Sequence, residues 1–179
     1  MKKSIAIIGE GITEKYYIES LKGLSPFNIL PRQLGKRASS LPELEDSIKK
    51  SIKTGYDEVY CLIDMDGKTN GKTKTDYERI KTKYHGKIHG KKKEGIECKV
   101  IFIETELQKY RPDYCKHEKY FRSIANIHQD LTDRKLPKGS LKKAVENAEQ
   151  SVVSRERENR TYTYSEMHIL IRALEIPWE

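Results

Sequence analysis

Apolar residues in this chain fall into short blocks that stop abruptly at polar turns. Ile5-Ala6-Ile7-Ile8 stops at Gly9-Glu10-Gly11, and Val59-Tyr60-Cys61-Leu62-Ile63 stops at Asp64-Met65-Asp66-Gly67. Blocks that are apolar on both faces suit strands buried between helices. The pattern predicts strands over residues 3–9, Phe27–Leu34, Glu58–Asp64 and Ile96–Glu104. Between the first two, Ile12, Tyr16, Tyr17 and Leu21 recur at helical spacing, with Thr13 as the expected N-cap. Leu41, Leu44, Ile48 and Ile52 form one face of a helix over Leu41–Thr54. Ser40 and Glu43 have capping-box spacing at its start, and Gly55 ends it. Strands alternating with helices predict an α/β fold, a Rossmann-like, mainly parallel sheet of about four strands flanked by helices.

The pattern changes after Glu104. Tyr120, Phe121, Ile124 and Ile127 give an apolar face to a helix over about residues 113–130. Residues 131–139, with Pro137, read as a linker. Ser140 opens a highly charged helix running to about Arg157, a solvated face or an oligomer contact. A last amphipathic helix is expected over residues 161–176, carrying Met167, Leu170, Ile171 and Leu174. The organisation expected is therefore an α/β core over residues 1–110 and a helical region over 111–179 packing on the same domain.

Composition narrows the partners. Apolar residues make up 36% of the 179 and charged residues 35%, so the core is thin beneath a charged surface. The net charge of +8 favours an anionic partner, nucleic acid first among them. Three cysteines (Cys61, Cys98 and Cys115), with no CxxC pair, exclude a disulfide framework or a zinc knuckle. No signal peptide or long apolar stretch is present, so a cytoplasmic protein with no membrane association is expected.

The chemistry lies in the two acidic turns. In an open parallel sheet the carboxyl ends of neighbouring strands share one crevice, where ligands bind. Asp64 and Asp66 point to one side of an extended segment, and Glu14 follows Glu10 at a spacing of four. Carboxylates gathered there repel one another unless neutralised, and a hard divalent cation such as magnesium does so. Two such ions can activate a water and stabilise a leaving oxygen in phosphodiester cleavage. Lys15 or Lys68 could add positive charge for the transition state. Either turn alone is commonplace, because Asp and Gly are turn formers. Their succession, each after a buried strand, is what points to a site. A dinucleotide fingerprint is excluded because position 14 is Glu where a third glycine is needed, and a P-loop because Gly-Lys-Ser/Thr is absent.

Ile7-Ile8-Gly9-Glu10-Gly11-Ile12-Thr13-Glu14-Lys15-Tyr16, followed by Leu62-Ile63-Asp64-Met65-Asp66, resembles a TOPRIM domain, the catalytic module of primases, topoisomerases and OLD-family nucleases. Gly-Glu-Gly-x-Thr-Glu-Lys-x-Tyr, with Tyr56-Asp57-Glu58-Val59 before the Asp pair, resembles the RloB-like family of bacterial restriction and anti-phage defence loci. The resemblance covers about residues 3–66, and more loosely the segment 163–174. It implies a magnesium-dependent nuclease acting on RNA (tRNA included) or DNA in abortive infection, with manganese able to substitute. It implies Glu10 as general acid/base, Asp64 and Asp66 as magnesium ligands, and Glu14 as support for the site or a second ion. A partner ATPase or restriction-system protein and a homo-oligomer would fit such a locus. The alternatives are a nucleic-acid or nucleotide sensor that does not cut, and a phosphotransfer or primase-like activity.

The chain departs from that pattern after the fourth strand. The family's Pro-aromatic-Glu-Trp segment and the apolar helix after it have no counterpart between Glu104 and Pro112. Either they are deleted or a segment is missing there, which would appear as a break between about residues 104 and 109, since linked residues sit ~3.8 Å apart. Losing that helix would expose strand residues to water. Glu104 and Glu106 stand at the sheet end, where one could join the metal site.

The other candidate is basic. Lys68, Lys72, Lys74, Lys81, Lys83 and Lys87, then Lys91 to Lys93, are interleaved with Tyr77, Tyr84, His85 and His89. Together with Lys15 these ammonium groups could meet phosphates while the rings stack on bases; the alternative is a solvated surface helix. His85 and His89 stand four apart without an evident third metal ligand.

Overall fold

The structure is a computed structural model that describes residues 2–10, 15, 18–19, 21–34, 40–65, 67–90, 95, 97–106, 146, 149 and 164–176. The predicted helix over 113–130, the linker after it, and Glu14, Asp66 and Cys115 lie outside the described residues. So does most of the helix from Ser140, of which Glu146 and Glu149 are helical.

Among the described residues six strands form one sheet: β1 (Ser4–Gly9), β2 (Asn28–Gln33), β3 (Glu58–Asp64), β4 (Ile88–His89), β5 (Cys98–Glu106) and β6 (Tyr164–Ser165). The order is β2-β1-β3-β5-β4, with β6 also on β5. The four long strands run parallel, and the two-residue β4 and β6 pair antiparallel to β5. The predicted α/β class and mainly parallel sheet are thus present, with two short strands added.

Among the described residues three helices are bounded: α1 (Leu41–Thr54), α2 (Gly71–Tyr84) and α3 (Met167–Ala173). Lys15, Ile18, Glu19 and Leu21 are also helical, in the connection from β1 to β2. Ser40 caps α1, its Oγ accepting from the Glu43 N–H at 3.3 Å. Gly55 ends α1 at φ 87°, a conformation that costs glycine little.

Each face of the sheet carries its own core. Ile5, Ile7, Tyr60, Leu62 and Ile103 meet Ile18 and Leu21 on one side, with Leu170, Ile171 and Leu174 from α3 and the turn after it. Ala6, Ile8, Cys61, Ile63 and Phe102 meet Leu44 and Ile48 of α1 and Tyr77, Ile80 and Tyr84 of α2 on the other. Cys61 and Cys98 are free and buried; burial pushes the Cys61 thiol up, and Cys98 to about 11. Both act as small apolar residues.

Three expectations are corrected. The final helix starts at Met167, not 161, because Tyr164 and Ser165 extend along Glu106 and Thr105 of β5. The fourth parallel strand runs two residues further than expected, to Glu106, for the same reason. The face of β5 is not left open: Ile103 is buried by α3, so the terminal helix covers the sheet where another helix was expected. The chain is regular strand through Glu106; residues 107–109 lie outside the described part. Among the described residues no helix is long and apolar enough to cross a membrane.

Candidate active site at the switch point of the sheet

Chain order and strand order together locate a crevice. From β1 the chain crosses outward to β2; from β2 it returns past β1 to β3, and then goes on to β5. The connections after β1 and β3 therefore leave in opposite directions. The gap outside their carboxyl ends is the topological switch point, where ligands bind in open α/β sheets. Glu10 directly follows β1, and Asp64 ends β3. The parallel register, with Ile8 opposite Cys61, brings these two strand ends side by side.

The turn after β3 adds a third group. The Lys68 N–H donates to the Met65 carbonyl at 3.0 Å, closing a four-residue turn. Gly67 sits before Lys68 with φ 71°, in the left-handed region that glycine adopts at little cost. The turn folds Lys68 back over the strand end. Its Nζ donates to the Asp64 carbonyl at 2.6 Å and lies 3.1 Å and 3.3 Å from the two carboxylate oxygens of Glu10. Both side chains are almost wholly enclosed, at 7% exposure for Lys68 and 11% for Glu10. A buried ion pair gains little net stability, but removing one partner leaves a charge stranded and costs about 3–5 kcal/mol.

A second carboxylate stands one strand away. Glu104 is buried on β5, opposite Ile63 in register. Alternation turns it toward the α1–α2 face that Phe102 shares, whereas Asp64 falls on the face of Leu62. Tyr77 donates its hydroxyl to Glu104 at 2.5 Å, and Lys81 pairs with the same oxygen. Glu104 thus ends in a polar cluster with α2.

The outer edge of β5 is closed by three different groups. The Val100 N–H donates to the Lys87 carbonyl at 3.2 Å, that of Phe102 to His85 Nδ1 at 2.9 Å, and that of Glu104 to the Glu166 carboxylate at 2.8 Å. Accepting at Nδ1 requires His85 to be neutral on that nitrogen. Burial, with Lys81 nearby, holds its pKa below the ordinary value.

The basic stretch divides once folded. Tyr77 and Tyr84 are buried, so these rings pack in the core and do not stack on bases; the interleaved pattern is the apolar face of α2. His85 and His89 do not converge: the former serves β5, and the latter's Nε2 lies 3.3 Å from the Tyr84 carbonyl. Lys83 pairs with Glu45 at 2.8 Å, joined there by Arg79 at 3.5 Å and Lys49 at 3.7 Å. Lys74 pairs with Glu78 at 3.8 Å, and Lys87 donates to the Thr82 carbonyl at 2.5 Å. Lys72 is exposed and Lys15 half-buried. Lys68 belongs to the crevice, not to the exposed arm.

Of the sequence-derived site residues, Lys68 meets the Glu10 carboxylate and the Asp64 main-chain carbonyl, while Glu14 and Asp66 lie outside the described residues. Among the described residues no three His, Cys, Asp or Glu side chains converge in metal-binding geometry. The partners missed from sequence are Tyr77, Lys81 and Glu166; only the helical spacing of Tyr77, Ile80 and Tyr84 could have marked one side of α2 as buried. Comparison of the chain with protein-family models, with curated proteins and with solved structures yields no match.

Proposed function

We propose that the chain is a TOPRIM-type, magnesium-dependent nuclease that cleaves phosphodiester bonds of RNA or DNA in anti-phage defence. The observation that carries this reading is the buried Lys68 ammonium at the switch point, held between the Glu10 carboxylate and the Asp64 main-chain carbonyl. The donor set suits a hard cation, since both side chains are carboxylates on neighbouring strand ends. Glu10 and Asp64, with Asp66 and Glu14 from the same two sequence motifs, would hold the ion, which when bound supplies water activation and charge stabilisation to phosphodiester cleavage.

The chain's own residues contribute the rest. Glu10 follows a glycine at the strand end and is positioned to take and return a proton. Lys68 brings an ammonium into a largely enclosed crevice, where a positive charge acts on a phosphate more strongly than in water. The exposed lysines of α2 lead away from the crevice and offer phosphates a surface. The defence role and any partner ATPase rest on the sequence resemblance over residues 3–66.

The test is a panel of total RNA, tRNA and plasmid DNA incubated with purified protein and magnesium or manganese. Metal-dependent cleavage that disappears in Asp64→Ala supports the reading; absence of any cleavage with either metal sinks it. One observation favours a second reading. Lys68 already neutralises Glu10, as suits a site that holds a nucleotide or nucleic acid without cutting it. Intact binding by Asp64→Ala, with no product from the wild type, would select that sensor.

A further inference from the structure

We propose that Lys68 is an internal counter-ion that competes with the divalent cation for Glu10, so that loading of the site is an exchange of one cation for another. The inference rests on the metal-site reading above and adds a regulatory role for one of its residues.

The geometry is that of a cation already seated on a carboxylate. Lys68 Nζ lies at nearly equal distances, 3.1 Å and 3.3 Å, from both oxygens of Glu10, so it occupies the bidentate side of the group. It is held there by the Asp64 carbonyl at 2.6 Å and by the Met65–Lys68 turn. A magnesium ion binds carboxylate oxygens at ~2.0–2.1 Å. On the same oxygens it would lie within roughly 5 Å of the ammonium, in a site too enclosed for water to screen the two like charges. The ammonium has somewhere to go, because lysine is a point charge on a flexible stem of four methylenes. Lys68 therefore neutralises Glu10 by itself, and a metal bound to the same oxygens would displace it. By reciprocity, whatever Lys68 gains from Glu10 is subtracted from the metal's apparent affinity.

The discriminating experiment is Mn2+ titration by calorimetry of wild type, Lys68→Met and Lys68→Arg, with no nucleic acid present. Lys68→Met is expected to bind Mn2+ on the order of tenfold tighter than wild type, within the usual range of coupling between two sites. It should also melt lower without metal and regain more on adding it. Lys68→Arg, which keeps the charge, is expected to show no gain. Equal or weaker binding by Lys68→Met, or no binding by any of the three proteins, overturns the proposal. Should Lys68→Met fail to fold, the wild type suffices: the side-chain NH3+ resonance of Lys68 is expected to shift on saturation with Mg2+, and an unmoved resonance contradicts the exchange. If wild type binds Mn2+, Lys68→Met binds it more tightly and neither cleaves any nucleic acid, the nuclease reading fails while the exchange stands.

Discussion

Glu10 and Glu104 are both largely enclosed carboxylates near the carboxyl ends of parallel strands, each paired with a lysine, yet their surroundings assign them different work. Glu104 is met by the Tyr77 hydroxyl and Lys81 from a packed helix, and its own backbone N–H and carbonyl are both bonded to Glu166. Its lysine is about one-third exposed and can keep its charge partly in water. Glu10 has a lysine as enclosed as itself, delivered by a turn only four residues from Asp64, at the gap where chain connectivity opens the sheet. The first arrangement fastens a helix to a strand. The second places opposite charges at the gap between the ends of β1 and β3. Burial of a carboxylate is not enough to mark a site; the elements that supply its partners decide.

The comparison can be broken most forcefully at Glu10. Glu10→Ala strands the Lys68 ammonium in the crevice and is expected to cost about 3–5 kcal/mol in metal-free protein, read from the denaturant midpoint. If it costs nothing, Lys68 is not held by Glu10 as the geometry implies. At the other carboxylate the expected loss is smaller. Tyr77→Phe removes one donor to Glu104 while Lys81 remains, and should cost about 1–2 kcal/mol by urea denaturation with cleavage rates unchanged. A fall in cleavage of tenfold or more would place Glu104 in the chemistry after all.

His85 sharpens the contrast through pH. Its folded pKa lies below the ordinary 6.5, so the unfolded chain takes up the proton first. The stability it contributes is complete above about 6.5 and declines as pH falls toward the lower folded value. Thermal melts from pH 7.5 to 5 should show this decline in wild type and a flatter profile in His85→Gln. The smallest effect belongs to Glu45, whose pKa is pushed down to about 2, chiefly by the Lys83 hydrogen bond. Its stabilisation is present above about 4.5 and fades as pH drops toward 2. Glu45→Gln should flatten the melting profile over that window, and salt should mute the difference because the pairs are near the surface.

Much of this fold was legible in the sequence because its long elements carry their own signals. Strands β1 and β3 announce themselves as unbroken apolar runs, and α1 carries its cap, its apolar stripe and its glycine stop. The two-residue strands β4 and β6 carry no periodicity; they exist because β5 offers an edge to pair with, a non-local fact. The same edge delays α3 to Met167. In the candidate site, Glu10 and Asp64 stand out in the sequence because one follows an apolar run and the other ends one. Lys68 was legible as a charge but not as a buried one, since a lysine opening a basic stretch reads as exposed. Only the Met65–Lys68 turn, with Gly67 in the left-handed region, turns it back onto Glu10. Tyr77 and Tyr84 failed in the opposite sense: amid lysines they read as base-stacking rings, whereas helical spacing buries them.

The central claim is that the β1–β3 crevice, and not the Glu104 cluster, is a metal-dependent phosphodiester site. It is tested most directly by measuring Mg2+-dependent cleavage of an RNA and DNA panel by wild type, Glu10→Gln and Glu104→Gln side by side. The account predicts that Glu10→Gln loses activity on the order of a thousandfold or more, as removal of a group acting at the reaction centre does, while Glu104→Gln stays near the wild-type rate. Equal rates for Glu10→Gln and wild type, or loss confined to Glu104→Gln, would contradict it.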